Sequence, residues 1–165
     1  MSATNDNLKE AFAGESQANR KYLAFAKKAE QDGYPMVARL FRAASEAETI
    51  HALAHFANMG GIGSTAENLK AAVEGETYEF EKMYPPMIAQ AEVESHRGKR
   101  MFEMAAKAEA VHAKLYALAL EAVMNGKDIS ADSFYLCPVC GDVEIGTPPA
   151  ICPICGAKGD SFQKM

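Results

Sequence analysis

The chain carries one short pattern twice. Glu15, Glu48 and His51 recur as Glu76, Glu109 and His112, 61 positions further along. The surroundings repeat with them. Arg39/Arg100, Phe41/Phe102, Ala44/Ala105, Ala47/Ala108 and Ala52/Ala113 are identical pairs at that same offset, and Gly14-Glu15-Ser16 matches Gly75-Glu76-Thr77. Packing alone does not require a repeat to keep two glutamates and one histidine per half. The pattern predicts two helix pairs that each supply oxygen ligands and one imidazole to a shared core, as a four-helix bundle does when it builds a two-metal carboxylate site.

The spacing supports this. Glu48 and His51 are three residues apart, as are Glu109 and His112. On a helix, that separation places both side chains on one face. Carboxylates can bridge two cations, and imidazole supplies a terminal nitrogen. Iron suits this donor mixture, and manganese or zinc also satisfies it. A single Glu-x-x-His on an alanine-rich helix is commonly solvated surface; two copies at a fixed offset, each with an upstream glutamate, argue for metal. Alanines and Ile50, Val111 and Leu115 surround the four motif residues. Glutamates on such a face are costly to bury unless paired or metal-bound. Glu79 breaks the repeat, because its counterpart in the first half is Ala18. It is either one more charge in an acidic run or an additional ligand on the face of Glu76.

Positions 4 to 125 are rich in Ala, Glu, Lys, Leu and Met, all good helix formers. A first helix is expected from a cap at Thr4 or Asp6 to about Gln31, and a second from Pro35 to Asn58 after the Asp32-Gly33-Tyr34 turn. Met59-Gly60-Gly61-Ile62-Gly63 ends it. A third segment should cover Ala66 to Ser95, with Gly75 able to break it and Pro85-Pro86 expected to kink it. A fourth should run from Arg97 to Met124 and stop at Asn125-Gly126. Met83, Met87, Met101 and Met104 read most simply as core packing, His55 as packed or adjacent to the ligands, and His96 as part of a turn.

Beyond Lys127 the helical period is lost. Cys137-Pro138-Val139-Cys140-Gly141 and Cys152-Pro153-Ile154-Cys155-Gly156 form two matching knuckles. Four thiolates at this spacing make a tetrahedral sulfur site for iron or zinc. The segment from Phe134 to Met165 is too short to hold itself together without metal. Two domains are therefore expected, a bundle over 1–130 and a metal-held module over 134–165. A net charge of −5 gives no reason to expect nucleic-acid binding. The polar first ten residues and the lack of a long apolar run argue against a leader or membrane span. Clustered cysteines read as metal ligands rather than disulfides, so a cytoplasmic location is the expectation.

The set Gly14-Glu15-Ser16, Glu48-x-x-His51, Glu76-Thr77-Tyr78-Glu79, Met83-Tyr84-Pro85, Glu109-x-x-His112 and the two C-P-x-C-G knuckles resembles the rubrerythrin family over nearly the whole chain. That resemblance implies a mainly α protein, a ferritin-like di-iron four-helix bundle followed by a small rubredoxin-like β/loop module. It implies a peroxidase that reduces hydrogen peroxide to water in oxidative-stress defence. It also implies two non-haem irons in the bundle and one iron at the four cysteines.

The resemblance further assigns roles. Glu48 and Glu109 would bridge the irons. Glu15 and Glu79 would be terminal on one, Glu76 and His112 on the other, with His51 replacing Glu79 as ligand when the site is reduced. Tyr22 and Tyr84 would hydrogen-bond ligand carboxylates. Electrons would enter through Cys137, Cys140, Cys152 and Cys155 from rubredoxin or an NAD(P)H-dependent reductase, in a homodimer or larger homo-oligomer. Some relatives carry a histidine soon after the last cysteine; Gly156-Ala157-Lys158 stands here instead. The competing function is ferroxidase and iron handling of the ferritin type. A zinc-tailed peroxide sensor is a third.

Overall fold

A computed structural model describes residues 3–165. The helices are α1 (Ala3–Gln31), α2 (Pro35–Asn58), α3 (Thr65–Tyr78), α4 (Tyr84–Val93) and α5 (Lys99–Met124), followed by strands β1 (Phe134–Leu136), β2 (Val143–Ile145) and β3 (Gln163–Lys164). The chain is mainly α with a small C-terminal sheet. It divides into two compact units, one ending at Gly63 and one running Ser64–Met165.

The first unit is the α1–α2 hairpin. Small side chains let its helices approach closely: Ala26, Ala29, Ala38 and Ala52 are buried. Aromatic pairs fill the wider parts of the seam, with Phe12 stacked on Phe56 at 5.0 Å and Phe25 edge-on to Phe41 at 5.5 Å. Tyr22 lies 6.0 Å from Phe41 in the same group. Pro35 opens α2 in the first turn, where its missing N–H costs nothing. Thr4 and Asp6 fall inside α1 rather than capping it.

The second unit begins with a capping box. Ser64 Oγ accepts from the Glu67 N–H, and the Glu67 carboxylate accepts from the Ser64 N–H at 2.7 Å. α3 passes through Gly75 without a break. The irregularity comes later, in a π-helical stretch over Glu79–Met83. There the Tyr84 N–H donates to the Glu79 carbonyl, five residues back. The cause is the Pro85-Pro86 pair: in the interior of an α-helix, both would remove hydrogen bonds and clash with the preceding turn. The π turn ends one helix and restarts another, so both prolines sit in the first turn of α4.

The wide turn also accounts for a one-residue difference between the halves. Tyr22 follows Glu15 by seven residues, whereas Tyr84 follows Glu76 by eight. At about 100° per residue, eight residues of α-helix would carry Tyr84 roughly 80° off the Glu76 face. Absorbing one residue in the π turn returns it to that face.

α5 starts at Lys99, two residues after the expected Arg97. His96 occupies the preceding turn and accepts from the Gly98 N–H at 3.0 Å. Gly126 takes φ +68°, which ends α5 in the expected manner. Of the methionines expected in the core, Met87 and Met101 are exposed. Met104 packs against the cysteine cluster. The sheet is antiparallel in the order β2-β1-β3, with Tyr135 opposite Glu144 and Leu136 opposite Gln163. Among the described residues, no helix is long and apolar enough to cross a membrane.

Candidate functional site

Helical spacing and helix pairing gather the glutamates and histidines into two triads. In the first unit, Glu15 of α1 meets Glu48 and His51 of α2; in the second, Glu76 of α3 meets Glu109 and His112 of α5. Each triad offers ligand atoms within 4.8 Å of one another. In both, the imidazole Nδ1 faces the carboxylates. His51 Nδ1 lies 3.3 Å from Glu48 and 3.9 Å from Glu15. His112 Nδ1 lies 2.7 Å from Glu109 and 3.8 Å from Glu76. The halves differ in enclosure: the His51 side chain is 54% exposed and that of His112 is 21% exposed.

The carboxylates respond to this crowding. Glu15 shares a hydrogen bond with Glu48, which holds the Glu15 carboxyl above its usual range and the Glu48 carboxyl below it. Burial raises Glu76, and the Glu109 charge adds to that shift. Burial also raises Glu79, with the Glu76 charge as the second cause. Glu79 therefore stands beside the second triad, as does Tyr84. The Tyr84 phenol is pushed up by burial and then by Glu109, Glu79 and Glu76. His55 lies near enough to Glu15 for its charge to oppose that carboxyl's rise.

The knuckles bring the four cysteines together, three buried and Cys155 partly so. Gly141 and Gly156 take φ +85° and +79°, which turns each knuckle back on itself. The Cys137–Cys155 and Cys140–Cys152 sulfur pairs are each 3.6 Å apart. A tetrahedron with metal–sulfur bonds of about 2.3 Å has edges of roughly 3.8 Å, so the cluster fits one metal ion. Burial opposes ionisation of Cys137, but the N–H groups of Val139 and Cys140 bring its thiol below the ordinary range. Burial raises Cys140 and Cys152.

Two features were not foreseen from the sequence. The first is a hydrogen bond of 2.8 Å from His112 Nε2 to the Gly141 carbonyl, which joins the second triad to the first cysteine knuckle. Because a carbonyl can only accept, Nε2 carries a proton, and Nδ1 is the nitrogen turned toward Glu109 and Glu76. A mainly apolar cavity of about 290 Å³, lined by Leu69, Leu115, Phe134 and Val143, lies against the same ring. The second is Asp142, fully buried, with Oδ2 3.5 Å from Cys152 Sγ.

Two carboxylate–histidine triads and a four-cysteine cluster define a metal-binding protein with a redox-capable donor set. The comparisons with known proteins agree. The family model "Rubrerythrin" matches residues 6–120, and "Rubrerythrin, rubredoxin-like domain" matches residues 135–163. Rubrerythrin-2 of Clostridium acetobutylicum is 38% identical, over 97% of this chain and 95% of that protein. Nigerythrin of Nitratidesulfovibrio vulgaris is 37% identical, over 98% of this chain and 86% of that one. The partially reduced state of nigerythrin superposes with a TM-score of 0.57 at 37% identity, covering 100% of this chain and 88% of that one. Its fully reduced, all-ferrous state gives 0.58 at 36% identity, with the same coverage. The chain belongs to the rubrerythrin family.

Proposed function

We propose that this chain is a non-haem di-iron peroxidase that reduces hydrogen peroxide to water. The two triads and Glu79 would serve one di-iron centre, and the four cysteines one further iron. In this reading residues 1–130 form the catalytic module and 134–165 the electron inlet. The chain works as a homodimer or larger homo-oligomer in the cytoplasm. Rubredoxin or an NAD(P)H-dependent reductase supplies its electrons.

The observation that carries the proposal is His112. One nitrogen faces Glu109 and Glu76, and the other bonds the Gly141 carbonyl of the cysteine knuckle. An iron-storage protein has no need of a dedicated electron inlet beside its carboxylate site.

When bound, the irons supply two electrons per turnover and Lewis acidity toward oxygen. The chain supplies the rest. Glu48 and Glu109, on the EXXH helices, and Glu15 and Glu76, on the helices paired with them, would be the carboxylates that hold the irons. The knuckle fixes His112 in the tautomer that offers Nδ1. Reduction of one peroxide to two waters consumes two protons, which a nearby carboxylate would deliver; Glu79, freed when His51 takes its place in the reduced site, would be the group that carries one. Tyr84, which stands beside Glu109, Glu79 and Glu76, would orient the carboxylates of the second triad, and the family resemblance gives Tyr22 the same role in the first.

The ferroxidase reading predicts a different outcome from the same protein. The test is peroxide consumption by the iron-loaded chain, driven by NADH through a rubredoxin and its reductase. Catalytic loss of peroxide matched to NADH oxidation supports the proposal. Uptake of many ferrous ions per chain, with no sustained NADH oxidation, supports iron handling.

A further inference from the structure

The first hairpin contains a polar lock that the second lacks. Asn19 of α1 is 6% exposed and Ser45 of α2 is 1% exposed. The Asn19 amide donates to the Ser45 carbonyl at 2.8 Å and to Thr49 Oγ1 at 2.7 Å. Thr49 Oγ1 donates to the Ser45 carbonyl, and Ser45 Oγ donates back to the Asn19 carbonyl, each at 3.2 Å. The lock adjoins the first triad. Asn19 is one turn beyond Glu15 on the same face, Thr49 follows Glu48, and Ser45 is one turn before Glu48.

Stability alone does not account for it. Among the described residues, Asn19 Oδ1 is buried without a hydrogen-bond partner. A partly satisfied buried network is worse for stability than an apolar seam. The repeat does without these hydroxyls on its second EXXH helix: 61 positions on, Ala106 and Ala110 stand in place of Ser45 and Thr49. Near them the second half has its π turn and Glu79. Directional hydrogen bonds resist sliding and rotation of two helices, which alanine contacts permit.

We infer that Asn19, Ser45 and Thr49 are positioning residues that pre-organise Glu15, Glu48 and His51 as metal ligands, holding the two helices that carry this triad more rigidly than alanine contacts would. The inference rests on the two triads binding metal. It predicts two unequal metal-binding steps, the tighter one depending on the lock.

The test uses the full chain with its cysteine site filled, titrated anaerobically with cobalt(II) against a competing chelator and followed by visible d–d absorption. Thr49→Val keeps the shape and removes the hydroxyl. It should weaken the tighter step at least tenfold and alter its spectrum while leaving the second step unchanged. Thr49→Ser should restore both affinity and spectrum. Asn19→Leu should reproduce the Thr49→Val result. If Thr49→Val and Thr49→Ser match the unmodified protein, or if Thr49→Val weakens both steps equally, the inference is overturned. Absence of cobalt uptake by the unmodified protein would instead remove the metal-centre reading, and this inference with it.

Discussion

The bond between His112 and Gly141 makes the cysteine module part of the coordination environment of the bundle, and this can be tested with a matched pair of substitutions. Gly141 and Gly156 hold equivalent places in the two knuckles, with φ +85° and +79°. Alanine at either position is strained by about 1–2 kcal/mol, the cost of a left-handed backbone with a Cβ. No heavy atom would lie within 4 Å of the added Cβ in either case, so backbone strain is the shared effect. Only Gly141 offers its carbonyl to His112 Nε2, at 2.8 Å. As the strained peptide relaxes, that carbonyl turns away and His112 loses the partner that fixes Nδ1 toward Glu109 and Glu76.

Loss of such an outer partner lowers metal affinity about 10–100-fold, which corresponds to roughly 1.4–2.7 kcal/mol. Gly141→Ala should therefore weaken zinc or cobalt binding at the bundle by that factor, measured by chelator competition with the cysteine site already filled. Gly156→Ala should melt at a similarly reduced temperature yet bind bundle metal like the unmodified protein. Equal affinities in both variants, whether both normal or both reduced, would refute the coupling.

Other expectations follow from the same geometry. Ser64→Ala removes one side of the capping box at the start of α3 and should cost about 1 kcal/mol in chemical denaturation. Glu79→Ala should retain two bundle metals while slowing peroxide turnover at least tenfold; equal loss of both metals on elemental analysis would contradict the role given to Glu79. In the metal-free protein, Glu15, Glu76 and Glu79 have raised carboxyls, so the folded state holds extra protons. Their contribution to stability is complete below the unfolded carboxylate range near pH 4.5 and is lost as pH rises through the raised values. Glu48, held low, titrates below that window. Metal displaces those protons, so the gain in melting temperature on metal loading should grow as pH rises through the raised carboxyl range above the ordinary value. A gain independent of pH would contradict the assignment.

Much of this was legible from the sequence. Helical composition and punctuation located α1, α2 and α5 to within a few residues, because Pro35, the Gly60-Gly61 pair and Asn125-Gly126 act locally. The Glu-x-x-His spacing paired Glu48 with His51 and Glu109 with His112, and each knuckle paired its cysteines, because these follow from helix or turn geometry over a few residues; Glu15 and Glu76 were legible only through the 61-position repeat. The π turn was less accessible. Its trace is one extra residue between Glu76 and Tyr84, but backbone hydrogen bonding decides where the helix absorbs it. Asn19, Ser45 and Thr49 look like ordinary polar positions on alanine-rich helices. Their burial depends on how two helices meet. The His112–Gly141 bond joins groups 29 residues apart, and no local pattern announces it.

The central claim is that electrons pass from the four-cysteine iron to a peroxide-reducing iron pair. The most direct measurement is anaerobic stopped-flow absorbance of the fully reduced protein mixed with hydrogen peroxide, with dioxygen in parallel, following the visible bands of the ferric four-sulfur site. The account predicts fast recolouring with peroxide and slow recolouring with dioxygen. Metal-replete protein that fails to recolour with peroxide would contradict it.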